Sequence, residues 1–181
     1  MYRKNFVKNY RNVDYVDKNG KTRTVVEYCG KYYGVKEGAP FLSLKILFTA
    51  VALLSAAAFV LGILFNPELN KTMYFILPYG GELLICFFLL LDAGELLFVK
   101  QPYKQENYDA LFVHSYAWCV AGTVLAAVSL VSFVIKLFVA GFAAMDLLPA
   151  SCVAVIGTLC LVLSRKIAAF RVFVVPLRKK G

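Results

Sequence analysis

Beyond residue 40 the chain is a succession of long apolar runs separated by short polar stretches. A hydrocarbon core about 30 Å thick is crossed by roughly 20 apolar residues in a helix. Four runs reach or approach that length: 42–65, 73–99, 110–137 and 147–163. Pro40 and Asn66-Pro67 bound the first, and Lys100 ends the second. The fourth, 17 residues long, opens with Pro149 in its first turn and closes at Ser164-Arg165-Lys166, unless so short a run borrows residues from either flank. The pattern predicts an all-α membrane protein, a four-transmembrane-helix bundle spanning residues 41–166.

The first 40 residues follow a different rhythm. Polar and apolar residues alternate around Asn19-Gly20, the preferred centre of a two-residue hairpin turn. That turn sets Tyr15 opposite Thr24 and Val13 opposite Val26. A second turn at Gly30-Lys31 sets Tyr28 opposite Tyr33. The expectation is a small cytoplasmic β-hairpin extended into a three-stranded meander. One face collects Val13, Tyr15, Val26, Tyr28, Tyr33 and Val35, and a sheet this small is marginal alone. These six residues are the candidate partner-binding face. The alternative is a basic leader with only a local hairpin. Residues 167–181 alternate apolar side chains with Arg171 and end in Arg178-Lys179-Lys180, which reads as a basic interfacial tail on anionic lipid.

Composition agrees with the pattern. Hydrophobic residues make up 60% of the 181 residues, above the roughly 45–50% of soluble domains. Residues 1–38 hold no apolar run and no small-residue cleavage site, so the first run is expected to persist as an anchor. The net charge is +9, and the 20 Lys and Arg residues are unevenly placed. Four crossings put 18 of them on one side and two, Lys71 and Lys136, on the other. Basic segments stay in the cytoplasm. Both ends of the chain and the 100–109 loop are therefore expected inside, in the cell membrane. The charge is read as a match to topology and anionic lipid, not to nucleic acid.

Little in the chain suggests reaction chemistry. A single histidine excludes multi-histidine metal sites. Neither a nucleophile elbow nor a phosphate loop occurs. The five cysteines form no Cys-x-x-Cys, and four lie within apolar runs, where they read as packing residues. No catalytic residue, metal ligand or cofactor is assigned.

The second run is the informative one, because it carries Glu82, Asp92 and Glu95. A charge near the bilayer centre costs at least ~2.5–3.5 kcal/mol. With Lys100 at the inner interface, a rise of 1.5 Å per residue sets Glu95, Asp92 and Glu82 about 7, 12 and 27 Å deep. Asp92 then stands out, and Glu82 lies near the outer water. Matching Lys100 with Asp109 across the next loop brings Glu95 level with His114. Either the two pair, or each reaches water separately. The candidate intramembrane polar site is Glu82, Asp92, Glu95 and His114. Pro78-Tyr79-Gly80-Gly81 predicts a break or kink, or else the outer end of the span. Small residues mark close-packing seams: Ser55, Ala58 and Gly62, then Ala117, Ala121, Gly122 and Ala126, then Ala150, Ala154 and Gly157.

The basic hairpin, the Tyr28-Cys29-Gly30-Lys31-Tyr32-Tyr33 segment and four runs with Leu77-Pro78-Tyr79 in the second give the chain its layout. In this it resembles small four-span membrane proteins of Gram-positive bacteria, a resemblance that implies no activity. The expected function is that of a structural or regulatory accessory subunit. Its partners would be the bilayer and either a larger membrane protein or further copies of itself. The alternatives are an oligomeric transporter or channel subunit using the acidic/His site, and an intramembrane enzyme.

Overall fold

A computed structural model describes residues 9–16, 21–65, 73–141 and 144–177. The strands before the helices are β1 (Tyr10–Val16), β2 (Thr22–Tyr28) and β3 (Tyr32–Val35). Helix α1 (Phe41–Phe65) and helix α2 (Met73–Phe98) follow, then the short strand β4 (Tyr103–Lys104). A helical turn (Gln105–Tyr108) and a π-helical turn (Asp109–His114) run without interruption into α3 (Ser115–Ala140). A 3-10 turn (Ala144–Asp146) leads into α4 (Leu147–Phe170), and a second one (Arg171–Phe173) leads into β5 (Val174–Leu177).

The protein is mostly helical. Among the described residues, three helical stretches are long and apolar enough to cross a membrane: Phe41–Leu64, Gln105–Val139 and Leu147–Phe173. Helix α2 is as long as its neighbours but carries the three acidic residues. Helix α1 packs mainly on α2 and α4, and α3 packs mainly on the same two. The inward face of α1 is Leu44, Phe48, Val51, Ser55 and Phe59, a three-to-four residue spacing. Its outward face, with Leu53, Leu54, Leu61 and Leu64, is equally apolar and exposed. Helices that are apolar on every side suit lipid rather than water.

The small-residue seams form in part: Gly62, Gly122 and Gly157 lie at close approaches between helices, whereas Ala117 is exposed. Gly62 of α1 leaves the space that the Tyr79 hydroxyl occupies, and that hydroxyl donates to the Phe59 carbonyl at 2.8 Å. Gly157 of α4 lies so near α3 that a Cβ there would stand 2.7 Å from the Cβ of Ala126. Gly141, at φ 78°, ends α3 in the left-handed region that glycine enters at little cost.

Three expectations need correction. The fourth helix takes residues from its C-terminal flank, running past Leu163 through Ser164-Arg165-Lys166, expected to close it, to Phe170 for 24 residues in all. Arg and Lys are good helix formers, so charge alone does not end a helix. Of the two readings of Pro78-Tyr79-Gly80-Gly81, the break is the one overturned: α2 continues unbroken through these residues, which lie near its start. Pro78 is the sixth residue of α2, so its ring removes one backbone hydrogen bond close to the helix start and leaves the rest of the ladder in place.

The third correction concerns the strands. The turn at Asn19-Gly20 lies outside the described residues. The observed register sets Val13 opposite Val25 and Tyr15 opposite Arg23, one residue away from the expected pairing. Five residues separate the last pair, Val16 and Thr22, whereas a two-residue turn leaves an even number. A slip of one residue exchanges the faces of a strand. Val26 and Tyr28 therefore lie on the face opposite Val13, and the single apolar face does not assemble. Nor does β3 extend the hairpin. It is the centre of a second sheet in the order β4-β3-β5, with Tyr33 opposite both Tyr103 and Pro176. The segment expected as an interfacial tail is thus partly an edge strand, where the missing donor of Pro176 is tolerated.

Candidate functional site

The four candidate intramembrane residues separate into two places. Glu82 and Asp92 are ten residues apart on α2, about 15 Å along the axis. Glu82 is 0% exposed rather than wet. Its Oε1 accepts a hydrogen bond from the Ser129 hydroxyl of α3 at 3.1 Å, and its Oε2 has no partner. Tyr79, one turn earlier on the same face, stacks on Phe59 with ring centroids 4.6 Å apart. The hydroxyl of Ser55, facing inward from α1, is likewise buried without a partner. Buried polar groups of this kind are costly unless hydrogen-bonded.

The second place lies nearer the β4-β3-β5 sheet. Asp92 Oδ2 accepts a hydrogen bond from the Ser115 hydroxyl at 2.7 Å, with the Ala110 carbonyl 3.0 Å from the same hydroxyl. Asp92, Glu95 and His114 are all half-buried. His114 lies within electrostatic reach of Asp92 and of Asp109, and Asp92 within reach of Glu95. Asp92 thus has both Glu95 and His114 as neighbours. The side-chain hydrogen bond that ties Asp92 to α3 is the one from Ser115.

The π-helical turn adds a residue that the sequence reading left in the tail. Arg171, just past α4, donates from Nε to the Phe112 carbonyl at 2.9 Å, and its Nη2 reaches the same oxygen. Its guanidinium also stands 4.7 Å from the centroid of the Tyr116 ring. A π-turn alters the regular i−4 hydrogen-bond ladder, and here Arg171 takes up one of its carbonyls. Near the start of α1, Lys45 Nζ stands 4.9 Å from the Phe41 ring centroid and is turned to the Leu97 carbonyl at 3.5 Å. At the opposite end of the helices, Lys136 pairs with the buried Asp146.

The candidate partner-binding residues are dispersed. Val13 and Val26 are exposed on opposite faces of the hairpin, and Tyr15 is a backbone partner of Arg23. Tyr33 stacks on Tyr108 with centroids 4.3 Å apart, and Val35 is half-buried against the core. Tyr28, only 6% exposed, is the hairpin's attachment point. Its hydroxyl accepts from the Gln105 backbone N–H at 2.9 Å and donates to the Lys31 carbonyl at 3.0 Å. Lys104 lies over the rings of Tyr28 and Tyr10, at 5.2 and 5.5 Å.

Ser115, Ser129 and Arg171 are the functional-site neighbours that sequence reading missed. The available signal was weak: isolated serines in apolar runs, and one arginine a single turn after a helix. Among the described residues, no three His, Cys, Asp or Glu side chains are grouped to hold a metal ion. The five cysteines are free thiols, with Cys86, Cys119 and Cys160 buried and Cys29 exposed. No protein family, curated protein or solved structure matches this chain.

Proposed function

We propose that the protein crosses the membrane four times with both basic ends in the cytoplasm, and that it serves as a non-enzymatic accessory subunit for a larger membrane protein. The observation that carries the topology is the β4-β3-β5 sheet. Its three strands precede α1, follow α2 and follow α4. Hydrogen-bonded strands share one side of a bilayer, so an even number of crossings must separate β3 from β4, and β4 from β5. If α1 crosses, α2 crosses back with its acidic residues turned toward protein. The same three segments carry the excess of Lys and Arg, which supports a cytoplasmic assignment.

The accessory role is supported by the hairpin. Val25 and Val26 are 53% and 61% exposed, on opposite faces. Among the described residues neither strand pairs with any strand beyond the hairpin. Two strands alone are marginally stable, and open edges accept a further strand from a partner. Tyr28 holds this element on the helices at a defined place.

Thiol labelling tests the topology. Cys29, and single cysteines introduced at Lys104 and Val172, should resist a membrane-impermeant maleimide in intact cells and react after permeabilisation. Labelling of one of them from outside would refute four crossings. A photo-crosslinking residue at Val25 should yield a discrete adduct with one membrane protein. A chain that gives no adduct and purifies alone from mild detergent contradicts the accessory role.

One observation favours a second reading, an oligomeric transporter or channel subunit. Glu82 is fully enclosed among the helices with one carboxyl oxygen unpartnered, and intramembrane carboxyl groups commonly serve ion pathways. Proton or cation flux in proteoliposomes that disappears in Glu82→Gln would support it. Absence of flux, or flux that persists in the variant, would end it.

A further inference from the structure

On the end of the helical body that carries the β4-β3-β5 sheet, α1 begins beside the end of α4. Between them lies a groove of about 330 Å³, within the size range of small-ligand sites. Leu44 and Leu47 form one wall, and Ala169 and Phe170 the other. The polar lining comes from Ser43 and the exposed Lys166, and no acidic residue contributes. Among the described residues no carboxylate pairs with Lys166, whereas Arg171 and Lys45 are already engaged with backbone carbonyls.

We infer that this groove is a binding site for an anionic phospholipid. The inference rests on the membrane topology proposed above, which sets the groove at the cytoplasmic interface. The Lys166 ammonium and the Ser43 hydroxyl meet the phosphate, and one acyl-chain segment lies along Leu44, Leu47 and Phe170. Three features select this occupant. The apolar floor suits a chain, the unpaired cation at the rim suits a phosphate, and the outward residues Leu42 and Ile46 beside it are exposed and apolar, continuous with the lipid phase. A free anion would gain nothing from the apolar walls.

The test uses the full chain in mild detergent and native mass spectrometry, with phosphatidylglycerol and phosphatidylcholine of identical chains. The wild type should retain one phosphatidylglycerol in preference to phosphatidylcholine. Lys166→Gln should reduce that preference about fivefold, the worth of one interfacial lysine. Arg165→Gln, one position away and outside the groove, should leave it unchanged. Ala169→Trp, which fills the groove, should lower retention of both lipids. Thermal melting of each variant shows whether it has folded, and the wild-type preference stands without any variant. Equal retention of the two lipids, an unchanged preference in Lys166→Gln, or displacement of the lipid by inorganic phosphate overturns the proposal. Failure of the underlying topology is a separate readout: the chain would then leave membranes without detergent, or Cys29 would be labelled from outside.

Discussion

The hydroxyl of Tyr28 takes the backbone N–H of Gln105, 77 positions later in the chain, and so fastens the β1–β2 hairpin to the turn that starts the third apolar helix. Tyr28→Phe keeps the ring and removes both hydrogen bonds of the hydroxyl. A net loss of about 1 kcal/mol per bond is expected. Amide exchange should read it as faster exchange at Gln105 and along 22–28, with the helices unaffected.

Alkaline pH should act on the same region. Burial raises the phenols of Tyr28 and Tyr33 above their ordinary value of 10.0, and that of Tyr103 to about 12. All three lie outside the apolar helices. A raised phenol favours the neutral folded form, so this stabilisation is complete below pH 10 and is lost as pH climbs through 10 toward 12. Tyrosinate absorbance followed with exchange at 32–35 should show both changes in that window. Sheet amides that lose protection only below pH 9 would contradict the assignment.

Gly157 and Ala126 set how closely α3 and α4 approach. Gly157→Ala should destabilise by about 1–3 kcal/mol through overpacking. Ala126→Gly in the same chain should restore part of that loss. Thermal melting of the two single variants and the double variant gives the coupling.

Ser129 and Glu82 form a buried polar contact between α2 and α3, separate from that of Ser115 with Asp92. Glu82→Gln keeps the shape and an acceptor for Ser129, so it should melt within about 1 kcal/mol of the wild type. Glu82→Ala leaves a cavity and a stranded hydroxyl, and should lose about 2–5 kcal/mol. Equal melting of the two variants would show that the Ser129 bond does not hold these helices together.

Arg171 bridges the end of α4 to the π-turn. Arg171→Ala should cost about 1.5–3 kcal/mol, the range for a hydrogen bond from a charged group. Exchange should quicken at 174–177 and at 32–35 together, because both strands depend on where α4 delivers the chain. Arg171→Lys should recover little, since a lysine lacks the planar fork.

Legibility differed by element. The three apolar helices and the close approaches at Gly62 and Gly157 could be read from local pattern, because each depends on run length or residue size. Burial of Glu82 could not. Helices that are apolar on every side carry no mark of which face turns inward, so depth was estimated from Lys100 alone and Glu82 was expected in water. The pairing of β3 was also hidden, since Tyr32–Val35 can join β2 by a short turn as readily, on pattern, as it joins distant strands.

The order of residues by itself determined that most of the chain lies in long apolar stretches, where each begins within a few residues, and which segments are basic. These are properties of composition along a line, and lipid solvation depends on little else. Only the tertiary structure decided that Tyr33 lies between Tyr103 and Pro176, that Ser129 meets Glu82, and that Arg171 closes on Phe112. Those contacts depend on the rotation and approach of helices whose surfaces are nearly uniform, and small residues such as Gly62 and Gly157 resolve that choice only when all four helices pack at once.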